Sequence, residues 1–183
     1  MRGYYQINST GMMKLTVCRG VVAAGVVAAL AAGCQPPASG GEMTAARKAA
    51  IADTLKGLVA SAYDLSKGDA VRRLMSLYPD SGPVVSAASG HITTSRDSLE
   101  AEIRAFWDNV GRNMRDPHWI WGQTFVDVLG PNAAVLTATY RVPHIQPNGQ
   151  PHVIGGAWTA VFERRHGKWM IVHEHLSDDP TVK

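Results

Sequence analysis

"GKWMIVHEHLSDDP", Gly167 to Pro180, lies near the end of the sequence, and its reading decides the rest. Side chains on a strand alternate between two faces. His173 and His175 therefore share one face, while Val172, Glu174 and Leu176 share the other. The alternation separates the histidines from the glutamate but leaves open which of the two faces is the covered one. The Gly167 turn before this strand returns the chain from another strand, "HVIGGAWTAVFER" (152–164), which alternates in the same way.

Working backward, the period of two persists. "QPNGQP" (146–151) is a turn built on Asn148-Gly149. "AAVLTATYRV" (133–142) is a strand stopped by Pro143, and "HWIWGQTFVDVLG" (118–130) is the strand before it. Before Pro117 the period lengthens to that of a helix. Ile51, Leu55, Leu58, Val59 and Ala62 make one apolar stripe. Val71, Leu74, Met75 and Tyr78 make a second, ended by Pro79. "VVSAAS" (84–89) is a short strand closing at Gly90. A third helix carries Leu99, Ile103, Phe106, Trp107 and Val110, with Thr94 and Asp97 at capping-box spacing. Three helices followed by a four-stranded meander predict an α+β domain, its helices on one face of a curved antiparallel sheet.

The first quarter differs. "MKLTVCRGVVAAGVVAALAAGC" (13–34) has Lys14 and Arg19 ahead of an apolar run from Val21 to Ala32. That run is shorter than the roughly 20 residues of a spanning helix, and it has the layout of a signal peptide. Its end, Ala31-Ala32-Gly33-Cys34, resembles the lipobox of bacterial lipoproteins, with Ala31 where leucine is usual and the leucine one position earlier. The resemblance implies a lipidated Cys34, a membrane anchor and an address at the cell envelope, the outer membrane or periplasmic face in a Gram-negative cell. Plain secretion with an ordinary small-residue cut is the alternative. We expect residues 1–33 to be the leader, with the true start at Met12 or Met13, 34–43 to be the anchor and tether, and 44–183 to be the domain.

The net charge of +3 belongs to that leader. Arg2, Lys14 and Arg19 precede Cys34, whereas the other basic residues and all 15 acidic ones follow it, so the remainder is formally neutral. A phosphate-binding surface, and with it nucleic acid, is not expected.

The order of elements, with "FERRHGKWMIVHEHLS" (162–177) at the end, resembles the NTF2-like superfamily, in particular its SnoaL-like and DUF4440 branch. "KGDAVRRLMSLYPDSGPVV" (67–85) and "SGHITTSRDSLEAEI" (89–103) are similar to that branch's second-helix segment and its link into the third helix. The closing "W-x-I-V-H-x-H-x-S" also resembles the end of the association domain of calcium/calmodulin-dependent kinase. The resemblance implies a cone in which helices and a bent sheet enclose a pocket, often as a homodimer packed sheet to sheet. It implies no single activity. Against ketosteroid isomerase, the general-base position falls on Ser86, which cannot abstract an α-proton. The tyrosine position falls near Ser61, with Tyr63 two places off, and the acid position falls on Trp158 or Thr159.

His173 and His175 have a metal-ligand spacing. A third ligand would have to come from His91, His118, His144 or His152, none diagnostically placed, so no metal or other cofactor is expected. Glu174, Val172 and Leu176 are the candidates for the pocket wall, together with Trp107, Trp121 and Thr159. His173 and His175 are the outer-face candidates. For Glu174 a salt bridge to Arg141 or Arg164 competes with a pocket role. Trp119 and Trp121 share a strand face, as core or as an apolar ligand cage. The functional expectation is an envelope lipoprotein whose domain binds a small apolar or amphipathic ligand or acts as a dimeric scaffold. The alternative is a SnoaL-like isomerase, dehydratase or cyclase with a pocket Glu or His as base.

Overall fold

The computed structural model describes residues 42–181. The leader, Cys34 and most of the tether lie outside the described residues. Among those described, no helix is long and apolar enough to cross a membrane.

Helix α1 spans Ala45–Ala62. The Thr44 hydroxyl accepts from Arg47 N (3.3 Å), satisfying one of the amides left free at a helix start. Leu55, Val59 and Ala62 are its buried residues, as the stripe predicts, with Ile51 and Leu58 packed at the margin. Helix α2, Ala70–Met75, is capped by Asp69 in the left-handed region (φ 57°). It ends before Tyr78, which packs from the loop beyond it. The Arg73 guanidinium ties that corner together, donating to Asp64 O (2.6 Å), Lys67 O (2.7 Å) and Gly68 O.

Strand β1 (Val85–Ala88) is followed by β2 (His91–Thr93), which the sequence pattern does not predict. Helix α3, Arg96–Asn109, is capped by Ser95, whose hydroxyl accepts from Ser98 N (3.1 Å), one residue later than the expected Thr94. A 3-10 turn (Gly111–Asn113) leads to β3 (Ile120–Gly130), β4 (Ala133–Ile145), β5 (Pro151–Arg165) and β6 (Lys168–Asp178).

The six strands form one curved sheet in the order β2-β1-β6-β5-β4-β3. It is mixed rather than wholly antiparallel, because β1 lies parallel to β6, with Ser86 opposite Glu174. The last strand in sequence thus sits inside the sheet. The helices cover one face. Leu55, Val59, Leu77 and Leu99 meet Leu136, Trp158, Phe162 and Ile171 there in one apolar cluster. Burying each such side chain contributes about 1.5–3 kcal/mol. On the opposite face Phe125, Thr137, Thr139, His173 and His175 are exposed.

A β-bulge interrupts β6. Val161 pairs with His173 and Phe162 with Ile171, which leaves Val172 without a partner. The extra residue shifts the alternation by one. Ile171 and Glu174 therefore both point inward, three positions apart. Val172, expected on the pocket wall, is absent from the cluster that contains Ile171 and receives Leu176.

Candidate functional site

Glu174 is 3% exposed, in the middle of the covered face. Ser86 Oγ donates to its Oε1 (2.8 Å) and Trp158 Nε1 donates to its Oε2 (2.8 Å). Each carboxyl oxygen thus has a neutral donor, which is what keeps a buried polar group tolerable. The partners are not Arg141 or Arg164. Arg141 is exposed, and Arg164 Nε donates to Gly167 O (3.3 Å). Ser86 is therefore not an idle substitute for a catalytic base but the hydroxyl that holds Glu174.

Tyr63 and Tyr78 lie against this group. Burial, and after it the negative charge of Glu174, pushes both phenols well above the ordinary tyrosine value. The Tyr63 ring leads outward into an aromatic cluster. Its centroid is 4.4 Å from Trp119, 5.2 Å from Trp121 and 5.7 Å from Trp158. Trp119 also stacks on Tyr140 (4.8 Å, 17° between planes). A cleft of about 280 Å³ opens on the solvent side of these rings, lined by Tyr63, Trp119 and Trp121 and rimmed by Asp64, Ser66 and His118. At that rim Ser66 and then Lys67 hold the Asp64 carboxyl down to about 2.

The expected pocket residues thus come apart. Glu174, Leu176 and Trp121 are on the covered side. Trp107 packs there too, its ring so close to Gly111 that a Cβ at that glycine would stand 2.3 Å away. Thr159 is on the other face, in a row with Phe125, Thr137 and His175, and its hydroxyl is 3.2 Å from that of Thr137. Strand alternation makes Trp158, not Thr159, the inward residue.

A second cleft, of about 210 Å³, lies where the end of α3 meets the β4–β5 hairpin, with His144, His152, Asn109 and Asn113 in its lining. His144 and His152 are directly paired across the two strands. The sequence carries a signal for this pairing, since the two stand equally far from Asn148 in the turn. Among the described residues, no three His, Cys, Asp or Glu side chains come together as a metal-binding group.

The family model for the calcium/calmodulin dependent protein kinase II association domain matches residues 52–180, nearly all of the described residues. The chain belongs to this association-domain family. The delta subunit of calcium/calmodulin-dependent protein kinase type II from Oryctolagus cuniculus is 31% identical over 80 residues, covering 43% of this chain and 15% of the kinase. The chain therefore spans a small part of that relative's length. A calcium/calmodulin dependent protein kinase II association-domain structure from Xanthomonas campestris is 25% identical with a TM-score of 0.51, over 73% of this chain and 86% of the other. A nuclear transport factor 2-like superfamily protein from Salmonella enterica has a TM-score of 0.57 at 18% identity, over 77% and 96%. The last likeness shows the fold alone, and that fold is the NTF2-like cone. The association domain described here thus combines a helix-covered, aromatic-rich face with an open sheet face.

Proposed function

We propose that this domain is a self-associating module, joining copies of the chain through the open face of its sheet. The supporting observation is the composition of that face. Its central row runs Phe125, Thr137, Thr159, His175, and the next runs Asp127, Val135, Val161, His173. Short and β-branched side chains make it flat, Phe125 is 62% exposed and Leu129 67%, and no lysine or arginine stands in either row. Exposed Phe125 and Leu129 on a flat face of mostly uncharged side chains suit a protein contact, and a two-fold pairing of identical patches suits a flat face. Thr159→Arg places an unpaired charge at the centre. It should weaken self-association about tenfold or more, measured by sedimentation equilibrium, while leaving the far-ultraviolet spectrum unchanged. A variant with wild-type mass at every concentration sinks the proposal.

The export and anchoring expected from residues 13–34 complete the reading: a lipid on Cys34 holds the module at the cell envelope. Cys34→Ser should move the protein from the membrane fraction to the soluble fraction, and retention in the membrane would show another anchor. A small apolar ligand is the second reading, favoured by the cleft beside Tyr63, Trp119 and Trp121. The SnoaL-like alternative, catalysis with Glu174 as base, is disfavoured because both oxygens of that carboxyl already accept from Ser86 and Trp158.

A further inference from the structure

The histidine pair at the hairpin end has a geometry that a simple strand contact does not require. His144 is 7% exposed, and its Nδ1 lies 2.9 Å from the carbonyl oxygen of Val142. A carbonyl can only accept, so Nδ1 carries the hydrogen, and in the neutral ring Nε2 then presents a lone pair. That Nε2 is 3.3 Å from Nδ1 of His152. The ring centroids are 5.0 Å apart, with 69° between the planes. A linear N–H···N bond of that length would set the centroids farther apart, because each centroid lies behind its nitrogen. The ring axes are bent instead, as they are when two imidazoles address one shared atom.

The distances suit a metal ion as that atom. Two imidazole nitrogens about 2.0–2.1 Å from a tetrahedral zinc stand roughly 3.3 Å from each other. The bond from His144 Nδ1 to Val142 is the support a metal-bound histidine commonly has, its second nitrogen donating to a backbone carbonyl and fixing ring and tautomer. The neighbouring cleft leaves room for the other ligands. Asn109 and Asn113 line it, and each commits its Nδ2, to Ala105 O (2.8 Å) and Asn109 O (3.0 Å). The amide oxygens are then the atoms left to face a ligand or a metal-bound water. Neutral imidazole with oxygen donors, and no thiolate, selects zinc and its first-row neighbours over magnesium or calcium.

We propose that His144 Nε2 and His152 Nδ1 together bind one divalent first-row transition ion, zinc being the best fit, with the remaining positions open to the cleft. The sequence expectation of no metal rested on the lack of a third histidine at ligand spacing. Here the pair itself is the anchor, and water or an amide oxygen completes the set. His152 must shift its hydrogen from Nδ1 to Nε2, by exchange with solvent, when the ion enters, so it binds as a neutral imidazole, no net proton is released, and the N–H···N contact between the rings is replaced by the metal.

The test is titration of the full-length protein with zinc by calorimetry, and with cobalt(II) by visible absorption, which reports tetrahedral geometry. One ion per chain is expected, with intense cobalt bands. His152→Gln and His144→Gln should each weaken binding at least about tenfold, the lower end of what even a supporting partner of a ligand contributes. His152 is only half-buried, so its variant stays informative if His144→Gln fails to fold. Wild-type affinity in a folded His152→Gln variant overturns the proposal. So does loss of binding in His173→Gln/His175→Gln with His152→Gln unaffected, or the absence of zinc heat and cobalt bands in the wild-type protein.

Discussion

Trp158→Ala should cost about 3–5 kcal/mol and bring the domain close to unfolding. Trp158 is 1% exposed and lies within 7 Å of Tyr63, Trp121 and Phe162, so its removal opens a cavity that three rings cannot fill by small shifts. The substitution also strips the Glu174 Oε2 of its donor. Domains of this size hold roughly 5–15 kcal/mol in total, so the loss is a large part of the whole. A urea melt monitored by circular dichroism is the measurement, with the midpoint falling sharply. Trp158→Phe separates the two causes: it keeps most of the ring volume and loses the N–H, and should cost about 1–3 kcal/mol, the penalty of a buried group left unpaired. An alanine variant as stable as wild type would mean that Trp158 is not the centre of the core.

Glu174 offers the second large effect, and its size depends on the replacement. Glu174→Leu leaves the Ser86 hydroxyl and the Trp158 N–H buried without an acceptor, at about 1–3 kcal/mol each. Glu174→Gln is different. An indole N–H can only donate, but a serine hydroxyl can turn and accept. The glutamine oxygen can therefore serve Trp158 while its NH₂ group donates to Ser86, and the stability should stay within about 1 kcal/mol of wild type. Equal stability of the Leu and Gln variants would show that the two bonds contribute nothing.

Much of this was legible in the sequence, and what was not has a physical pattern. The four long strands and the stripe of α1 declare themselves because each turns one side to a continuous core; of the α3 stripe only Leu99 is buried, Ile103 and Trp107 pack at the margin, and Phe106 and Val110 are exposed. The separation of Glu174 from His173 and His175 was readable too, from strand alternation, but which side faces the core was not, and the structure supplies it. Its partners were not: Ser86 is 88 residues away, brought alongside by a parallel pairing that no local period encodes. The bulge at Val172 is similarly silent, since one unpaired residue changes no residue type, and it moved Val172 off the wall. Thr159 was misplaced for a simpler reason, the choice between two adjacent positions in "AWTAV". β2 is three residues long and follows a turn, too short to show a period. His144 and His152 carried the clearest unused signal, a shared distance from the Asn148 turn.

The place of β6 has a consequence for the order in which the molecule can assemble. β1 and β2 leave the ribosome early, yet their neighbour in the rest of the sheet is β6, the last of the six described strands to be made. Until Lys168–Asp178 is available, β1 has nothing to dock on, Glu174 is missing, and the covered face cannot close. Contacts this distant in sequence slow folding, because a long loop must be closed before they stabilise anything. The hairpin of β4 and β5 can form on its own, but the domain as a whole waits for its final strand. A chain cut short before Glu174 is thus left without a centre, and the earliest strands of the sheet gain their place only together with β6.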